Sequence, residues 1–219
     1  MIKAVIYDLD DLMVNSAKPH YKAFDYVLKK RGYTYRDLPT KMRAKFVGRR
    51  IIDILKEINE FWKLDEELES FYKRRTKLFL KAVKEGVIPM LGLKRSLKLF
   101  KKNGLKIAVA SSGTKDYVRE VLRQFKIKHY FDAVITGDDV KIGKPNPQTY
   151  LLTVKKLGLK ASECVVLEDA TNGIIAAKKA GCKCIAVKNP YTPKQDLSKA
   201  DKRVKSLNEI SMKMINKLK

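Results

Sequence analysis

The sequence predicts an α/β fold in which a doubly wound, mostly parallel sheet carries helices on both faces. Short apolar, β-branched runs recur along the chain, and helix-length amphipathic segments separate the later runs. Glycine follows several of these segments, where it is typical of a helix end. Because alternating strands and helices pair their strands in parallel through crossovers, ligand-binding residues are expected at the carboxyl ends of the strands.

Five apolar runs are predicted strands, at residues 4–7, 107–110, 133–136, 165–167 and 184–187. Four amphipathic helices are expected beside the later strands, at residues 94–103, 115–125, 148–157 and 173–180. The segment from Ser16 to Val87 has no convincing strand, and its pattern predicts consecutive helices at 18–31, 51–61 and 66–85. We therefore predict a core domain formed by residues 1–15 and 88–219, and a helical cap domain formed by residues 16–87.

The composition is typical of a soluble globular protein. With 45% hydrophobic and 33% charged residues, the chain of 219 residues has enough apolar surface for a packed core. We find no apolar stretch of the roughly 18 to 20 residues that a membrane span needs, and no secretory signal pattern at the N-terminus. These features predict a cytoplasmic protein that does not enter a membrane.

The chain is strongly basic, with a formal net charge of +24. Such a field attracts phosphorylated small molecules, nucleic acids and acidic lipids alike. The lysines are spread over almost every predicted helix without the interleaved aromatic residues of nucleic-acid modules. The simplest interpretation is a lysine-rich solvated surface, with a small phosphorylated metabolite as the partner, no nucleic-acid partner and a monomeric state.

The three cysteines, Cys164, Cys182 and Cys184, lie in or beside apolar runs. Their odd number and their spacing favour buried, reduced thiols. With only His20 and His129 as further candidate ligands, a zinc site is not expected.

Two pairs of acids follow predicted strands. Asp8 and Asp10 come at the end of the first strand, and Glu168 and Asp169 follow the run at 165–167. Carboxylates held close together in a low-dielectric site repel one another unless a cation or a shared proton compensates them. Magnesium takes oxygen ligands of this kind. The first pair alone is equally compatible with an exposed acidic turn, but the two pairs together favour a metal site.

Two further motifs suit an anion. The run at 107–110 ends in Ser111, Ser112, Gly113 and Thr114 just before a helix, which combines hydroxyl groups, backbone amides and a helix N-terminus. Helix capping by these residues is the alternative explanation. Lys144 lies between Gly143 and Pro145 in a stiff turn before another helix, which predicts a fixed cation near the same place.

In this order the four motifs resemble those of the haloacid dehalogenase superfamily of aspartyl phosphotransferases, most closely the branch of β-phosphoglucomutase and the sugar-phosphate phosphatases. The resemblance covers nearly the whole chain. It implies that Asp8 is the nucleophile and that Asp10 is the general acid and base. It further implies phosphate binding by Ser111, Ser112 and Lys144, and magnesium binding by Asp8, the backbone carbonyl of Asp10, and Asp169 with support from Glu168.

The resemblance also implies substrate contacts from the predicted cap. His20, one helical turn from Phe24, would approach the substrate, and Gly48 and Arg49 would grip its non-transferring end. Arg50 is an alternative to Arg49. A further basic residue is expected to contact the substrate at Arg75 or Arg74. The competing explanations are a partly exposed helix residue for His20 and solvated charge for the arginines.

Function follows from these implied roles. Asp10 argues against dehalogenase chemistry, since hydrolytic dehalogenases lack an acid at that place. Asp11 and Asn15 depart from the branch, which more often has glycine and an acid there. We expect a magnesium-dependent phosphatase for a small sugar or polyol phosphate. The alternatives are a β-phosphoglucomutase that interconverts β-glucose 1-phosphate and glucose 6-phosphate, and a binding protein that holds nucleic acid.

Overall fold

The computed structural model describes residues 1–218 and contains a six-stranded sheet in which all neighbouring strands are parallel. The strands span β1 Ala4–Tyr7, β4 Lys106–Ala110, β5 Ala133–Ile135, β6 Cys164–Glu168, β7 Lys183–Val187 and β8 Lys202–Val204. Across the sheet their order is β5-β4-β1-β6-β7-β8. The predicted α/β doubly wound class is confirmed, and β1 lies between β4 and β6 at the centre of the sheet.

Helices cover both faces of this sheet. They span α5 Leu93–Lys102, α6 Lys115–Gln124, α7 Gln148–Leu157, α8 Thr171–Lys179 and α9 Met212–Asn216. Successive side chains of β1 point to opposite faces, so Val5 and Tyr7 join one apolar core while Ala4 and Ile6 join the other. In residues 1–218, no helix is long and apolar enough to cross a membrane.

A helical insert, which we define as residues 16–87, separates β1 from the rest of the sheet. Its helices are α1 Ala17–Lys29, α2 Thr40–Phe46, α3 Ile51–Trp62 and α4 Leu68–Lys84. The insert has an apolar cluster of its own, which includes Leu28, Leu55 and Phe71. A short antiparallel pair, β2 Val14–Asn15 and β3 Ile88–Pro89, flanks it. The division into core and cap domains stays a prediction.

Several short elements were not predicted from the sequence. The edge strand β8 has only three residues, of which the first two are basic and exposed, so it has no apolar run to reveal it. Charged residues at a sheet edge also discourage pairing with another chain. The seven-residue helix α2 buries only Phe46, which is too little for a recognisable apolar face.

The burial of the three cysteines predicts that their thiols react slowly in the native protein. Cys164, Cys182 and Cys184 are free and buried, and burial raises the pKa of Cys164 to about 11 and that of Cys182 to about 12. At about pH 8 the reactive thiolate form is then about one part in a thousand or less. We expect no fast reaction of the native protein with an aromatic disulfide reagent, and reaction of all three thiols in guanidinium chloride. Rapid labelling of the native protein would contradict this burial.

Candidate active site

The candidate active site lies at the carboxyl ends of the three central strands. Asp8 and Asp10 follow β1, Ser111 follows β4, and Asp169 follows β6. Because β4, β1 and β6 are neighbours in the sheet, their carboxyl ends meet at one edge. The motifs that are far apart in the sequence are thereby brought to one place.

Three buried carboxylates converge on this edge. Asp8, Glu168 and Asp169 each offer an oxygen atom, and these atoms lie within 4.8 Å of one another. The Nζ atom of Lys144 lies 2.5 Å from Oδ1 of Asp8 and 2.7 Å from Oε1 of Glu168. One ammonium group therefore pairs with two of the three carboxylates, and Asp169 has no ion-pair partner among residues 1–218.

The pKa values of Asp8 and Asp169 reflect this crowding of carboxylates. Burial raises the pKa of Asp8 above its usual value, against the opposing effect of Lys144. Burial also raises the pKa of Asp169, and the neighbouring charge of Glu168 adds to the effect. A hard divalent cation prefers oxygen donors and would relieve this repulsion. The residues present therefore fit a metal ion.

Two side chains orient these carboxylates and were not anticipated from the sequence. The Nδ2 group of Asn189 donates to Oδ2 of Asp169 at 3.1 Å and to the carbonyl of Asp11 at 2.9 Å. The hydroxyl group of Tyr150 donates to Oε1 of Glu168 at 2.7 Å. No local sequence pattern indicates a role at the site for either residue, because Asn189 lies in a loop and Tyr150 fits the apolar face of α7.

Asp10 points into a separate hydrogen-bond network. Its Oδ1 atom accepts a hydrogen bond from the hydroxyl of Tyr117 at 2.7 Å, and Nε2 of His20 lies 3.2 Å away. Burial alone would raise the pKa of Asp10, but the hydrogen bonds from His20 and Tyr117 lower it overall. Asp10 is therefore held in its ionised form. Tyr117 was another residue that sequence reasoning missed.

His20 is held between Asp10 and Arg75. Its Nδ1 atom contacts the guanidinium group of Arg75. Burial, together with the positive charge of Arg75, lowers the pKa of His20, which favours the neutral imidazole. A neutral ring that accepts at Nδ1 from an arginine carries its proton on Nε2, so His20 donates to Asp10.

The loop after β4 joins the sheet to the helical insert. The Oγ atom of buried Ser111 accepts from the backbone N–H of Gly113 at 2.9 Å. The hydroxyl group of Ser112 donates to the carbonyl of Gly48 in the insert at 2.8 Å. Thr114 caps α6 by accepting from the backbone N–H of Tyr117. The same loop thus caps α6 and contacts the insert.

The insert closes over this edge of the sheet. The Nδ2 group of Asn172 donates to the carbonyls of Lys45 and Val47, each at 2.8 Å. Between insert and sheet lies a cavity of about 100 Å³. The predicted site residues that line it are Asp8, Asp10, His20, Gly48, Arg49, Arg75, Ser112 and Asp169. Ser111, Lys144 and Glu168 are buried beneath that lining.

Comparison with known proteins places this arrangement in a family. A family model described as haloacid dehalogenase-like hydrolase matches residues 5–187. The chain belongs to the haloacid dehalogenase-like hydrolases. It is 30% identical over 184 residues to the phosphorylated carbohydrates phosphatase of Thermotoga maritima, with 82% of each chain covered. It is 32% identical to the phosphoglycolate phosphatase of Yersinia pestis, covering 87% of this chain and 82% of that protein.

A solved structure agrees with this assignment. The β-phosphoglucomutase of Clostridium difficile superposes with a TM-score of 0.86 at 26% identity, covering 100% of this chain and 97% of the other. This haloacid dehalogenase-like hydrolase thus belongs to the branch that the sequence motifs indicated. It is an enzyme of the phosphatase or phosphomutase type.

The arginines of the insert differ in how they are paired in this hydrolase. Arg49 lies 2.6 Å from Oε1 of Glu57. Arg50 binds Asp53 through two nitrogen atoms and donates to the carbonyl of Val140 at 3.0 Å. Arg49, which the resemblance suggested for the non-transferring end of the substrate, therefore already has a carboxylate partner.

Gly173 leaves room for one of the buried carboxylates. A Cβ atom added at this position would overlap the carboxylate group of Glu168. We expect Gly173→Ala to displace Glu168, to lower the free energy of unfolding by about 1–3 kcal/mol, and to raise the magnesium concentration for half-maximal activity roughly tenfold. Urea unfolding and a magnesium titration measure the two effects.

Gly158→Ala is the matched control. Gly158 ends α7 with a positive φ and has nothing within 4 Å of an added Cβ atom. Alanine there costs stability through backbone strain, but the magnesium requirement should stay unchanged. An unaltered magnesium requirement in Gly173→Ala as well would show that Glu168 does not support the metal.

Proposed function

We propose that this protein is a magnesium-dependent phosphatase that hydrolyses a small sugar or polyol phosphate through an aspartyl-phosphate intermediate on Asp8. The observation that carries the proposal is the convergence of Asp8, Glu168 and Asp169 beside a cavity that Asp8, Asp10 and Asp169 line. The names of two relatives, a phosphorylated carbohydrates phosphatase and a phosphoglycolate phosphatase, support the same reaction type.

Asp8 is suited to nucleophilic attack. One of its carboxylate oxygens attacks phosphorus, the bond between phosphorus and the ester oxygen breaks, and the phosphoryl group is left on Asp8. The hydrogen bond from Lys144 to Oδ1 of Asp8 orients the carboxylate before the attack. In this proposal Ser111, Ser112 and Lys144 stabilise the phosphoryl oxygens, where charge develops as the bond breaks.

Asp10 would move the protons. It must hold a proton to protonate the departing ester oxygen, whereas its hydrogen bonds favour the ionised form in the free protein. The negative charge of an arriving phosphate raises the pKa of a neighbouring carboxylate and so favours protonation at that moment. After the alcohol leaves, the ionised Asp10 takes a proton from the attacking water, and Asp8 is regenerated.

Magnesium fits the carboxylate cluster. Asp8, the backbone carbonyl of Asp10, and Asp169 would hold the ion, with Glu168 in support. When bound, magnesium would neutralise negative charge that otherwise repels the phosphate ester from the nucleophile. Asn189 would keep Asp169 turned toward the ion through the hydrogen bond to Oδ2.

A metal-removal experiment tests the proposed function. Protein stripped with a chelator is assayed for phosphate release from a panel of sugar and polyol phosphates. We expect release in magnesium, a drop of roughly 100-fold or more without it, and recovery when magnesium is returned. Full activity in the chelator would refute the metal-dependent mechanism, and no release from any ester in magnesium would refute the phosphatase function.

The β-phosphoglucomutase alternative is not favoured. The two relatives compared by sequence are both named phosphatases. Arg49, which would hold the second phosphate, is paired with Glu57. Because the fold is similar to that of a β-phosphoglucomutase, mutase activity should be measured as well. Conversion of β-glucose 1-phosphate to glucose 6-phosphate faster than phosphate release would reverse this choice.

A further inference from the structure

One carboxylate oxygen of Asp10 is held by two rings from separate parts of the fold. The hydroxyl group of Tyr117 donates to Oδ1 of Asp10 at 2.7 Å, and Nε2 of His20 lies 3.2 Å from the same oxygen. Tyr117 belongs to α6 of the sheet region, whereas His20 belongs to α1 of the helical insert. Hydrogen bonds to a charged group are stronger than those between neutral groups. Asp10 is therefore fixed at Oδ1 from both sides.

The ring of Tyr117 has little freedom to move. Its side chain is 1% exposed, and a Cβ atom added at Gly113 would lie 2.6 Å from its Cδ1 atom. The ring of Phe79 packs edge-on against that of Tyr117 with 4.8 Å between centroids, and it also lies 4.2 Å from the ring of His20. Both rings that contact Asp10 thus share one aromatic neighbour. This packing fixes the place of the Tyr117 hydroxyl group.

The contacts at Oδ1 decide which oxygen of Asp10 can carry a proton. A protonated carboxyl group has one O–H donor, and its other oxygen only accepts. A hydrogen on Oδ1 would collide with the hydrogens that Tyr117 and His20 direct at that atom, so the proton belongs on Oδ2. The last torsion of an aspartate side chain is soft and would let the two oxygens exchange places. The hydrogen bond from Tyr117 opposes that rotation.

We propose that Tyr117 is a positioning residue that keeps Oδ2 of Asp10 turned toward the ester oxygen of the substrate. The proposal rests on the proposed phosphatase function and adds a residue to its proton-transfer step. As the bond between phosphorus and the ester oxygen breaks, its electron pair goes to that oxygen. The proton on Oδ2 passes to the same oxygen, and Asp10 is left as a carboxylate. Tyr117 keeps its own proton and its hydrogen bond to Oδ1 throughout.

A series of small esters with increasingly acidic leaving groups tests the proposal. Ethyl, monofluoroethyl and trifluoroethyl phosphate differ little in size, but their alcohols depend progressively less on protonation. Acetyl phosphate, of similar size, releases acetate, which needs no proton to leave. For Tyr117→Phe we expect kcat/KM to fall roughly 10- to 100-fold with ethyl phosphate, as for a slightly misplaced catalytic group, and less than about threefold with acetyl phosphate.

The dependence of kcat/KM on the leaving group is the readout. A general loss of folded protein lowers kcat/KM for all four esters alike, whereas poor proton transfer penalises the least acidic alcohol most. The loss in Tyr117→Phe should therefore decrease steadily from ethyl to acetyl phosphate. Equal losses across the series would overturn the proposal.

A double variant shows whether Tyr117 acts through Asp10. Once Asp10→Asn has removed the proton donor, adding Tyr117→Phe should change kcat/KM for each ester by less than about threefold, because residues that act as a unit are not additive. A second loss as large as that in the unaltered background would contradict a role through Asp10.

The magnesium requirement separates proton transfer from metal binding. Tyr117 bonds to the side chain of Asp10 and not to its backbone carbonyl. The magnesium concentration for half-maximal activity should therefore be the same in Tyr117→Phe and in the unaltered protein. Recovery of full activity in Tyr117→Phe at high magnesium would place the effect on the metal and contradict the proposal.

Tyr7→Phe is the matched control. Tyr7 is also buried, and its hydroxyl group donates to Oγ of Ser96 on α5 at 2.8 Å. Both variants remove one buried hydroxyl group, and urea unfolding measures what each loses in stability. The leaving-group dependence should change only in Tyr117→Phe. The same change in Tyr7→Phe would show that it comes from the loss of a buried hydroxyl and not from Asp10.

The proposed function and the role of Tyr117 fail in different ways. If the unaltered protein releases no phosphate from this series or from any sugar or polyol ester in magnesium, the phosphatase function is refuted. If it releases phosphate and Tyr117→Phe has the same leaving-group dependence, only the role of Tyr117 is refuted.

Discussion

Asp8→Asn is expected to lower phosphate release by roughly 10⁴-fold or more, as removal of a catalytic nucleophile does in other enzymes. The amide is nearly the same size as the carboxylate but lacks the negative oxygen that attacks phosphorus. Lys144 can still donate to the amide oxygen, so the buried hydrogen bond to Oδ1 has a counterpart in the variant. The loss should therefore fall on chemistry rather than on folding.

Initial rates of phosphate release in magnesium measure this effect, and circular dichroism checks the fold. Asp116→Asn is the control, because Asp116 is exposed on α6 and pairs with Arg119. In the unaltered protein, rapid quenching in acid should trap phosphate on the chain, and Asp8→Asn should trap none. Activity within a few-fold of normal in Asp8→Asn would show that another group attacks the phosphate.

Lys144→Met is expected to damage both stability and activity. The side chain of Lys144 is fully buried, and its Nζ atom binds Asp8 and Glu168. Methionine keeps much of the length but removes the only ammonium group that these two carboxylates share among residues 1–218. Breaking a buried ion pair by removing one partner typically costs about 3–5 kcal/mol, because an uncompensated charge is left behind.

Urea unfolding should show this loss of stability in Lys144→Met. Phosphate release should also fall by roughly 100-fold or more, because the nucleophile Asp8 is no longer oriented and the phosphoryl group has lost a positively charged neighbour. Magnesium should restore part of the stability, because a ligand that binds only the folded state stabilises it. Lys155→Met, at an exposed position of α7, controls for the loss of a lysine. Unfolding equal to that control would contradict the buried ion-pair network.

The patterns that located the site were local ones. A buried strand is recognised from its own run of apolar, β-branched residues, and its end from the polar residue that follows the run, which is Asp8, Ser111 or Glu168. Parallel pairing then placed these ends at one edge of the sheet, as the neighbouring positions of β4, β1 and β6 confirm. Family membership was predictable from the sequence because each of the four motifs consists of a few consecutive residues.

The sequence by itself determined the α/β class, the family and the strand ends at which the candidate residues lie, because strand and helix periodicity depends on near neighbours. Only the tertiary structure decided that Tyr117 bonds to Asp10, that Asn189 bonds to Asp169, and that Arg49 has Glu57 as a carboxylate partner. Such contacts join side chains from separate elements. These contacts depend on how helices, strands and loops pack together, and no local sequence pattern determines that packing.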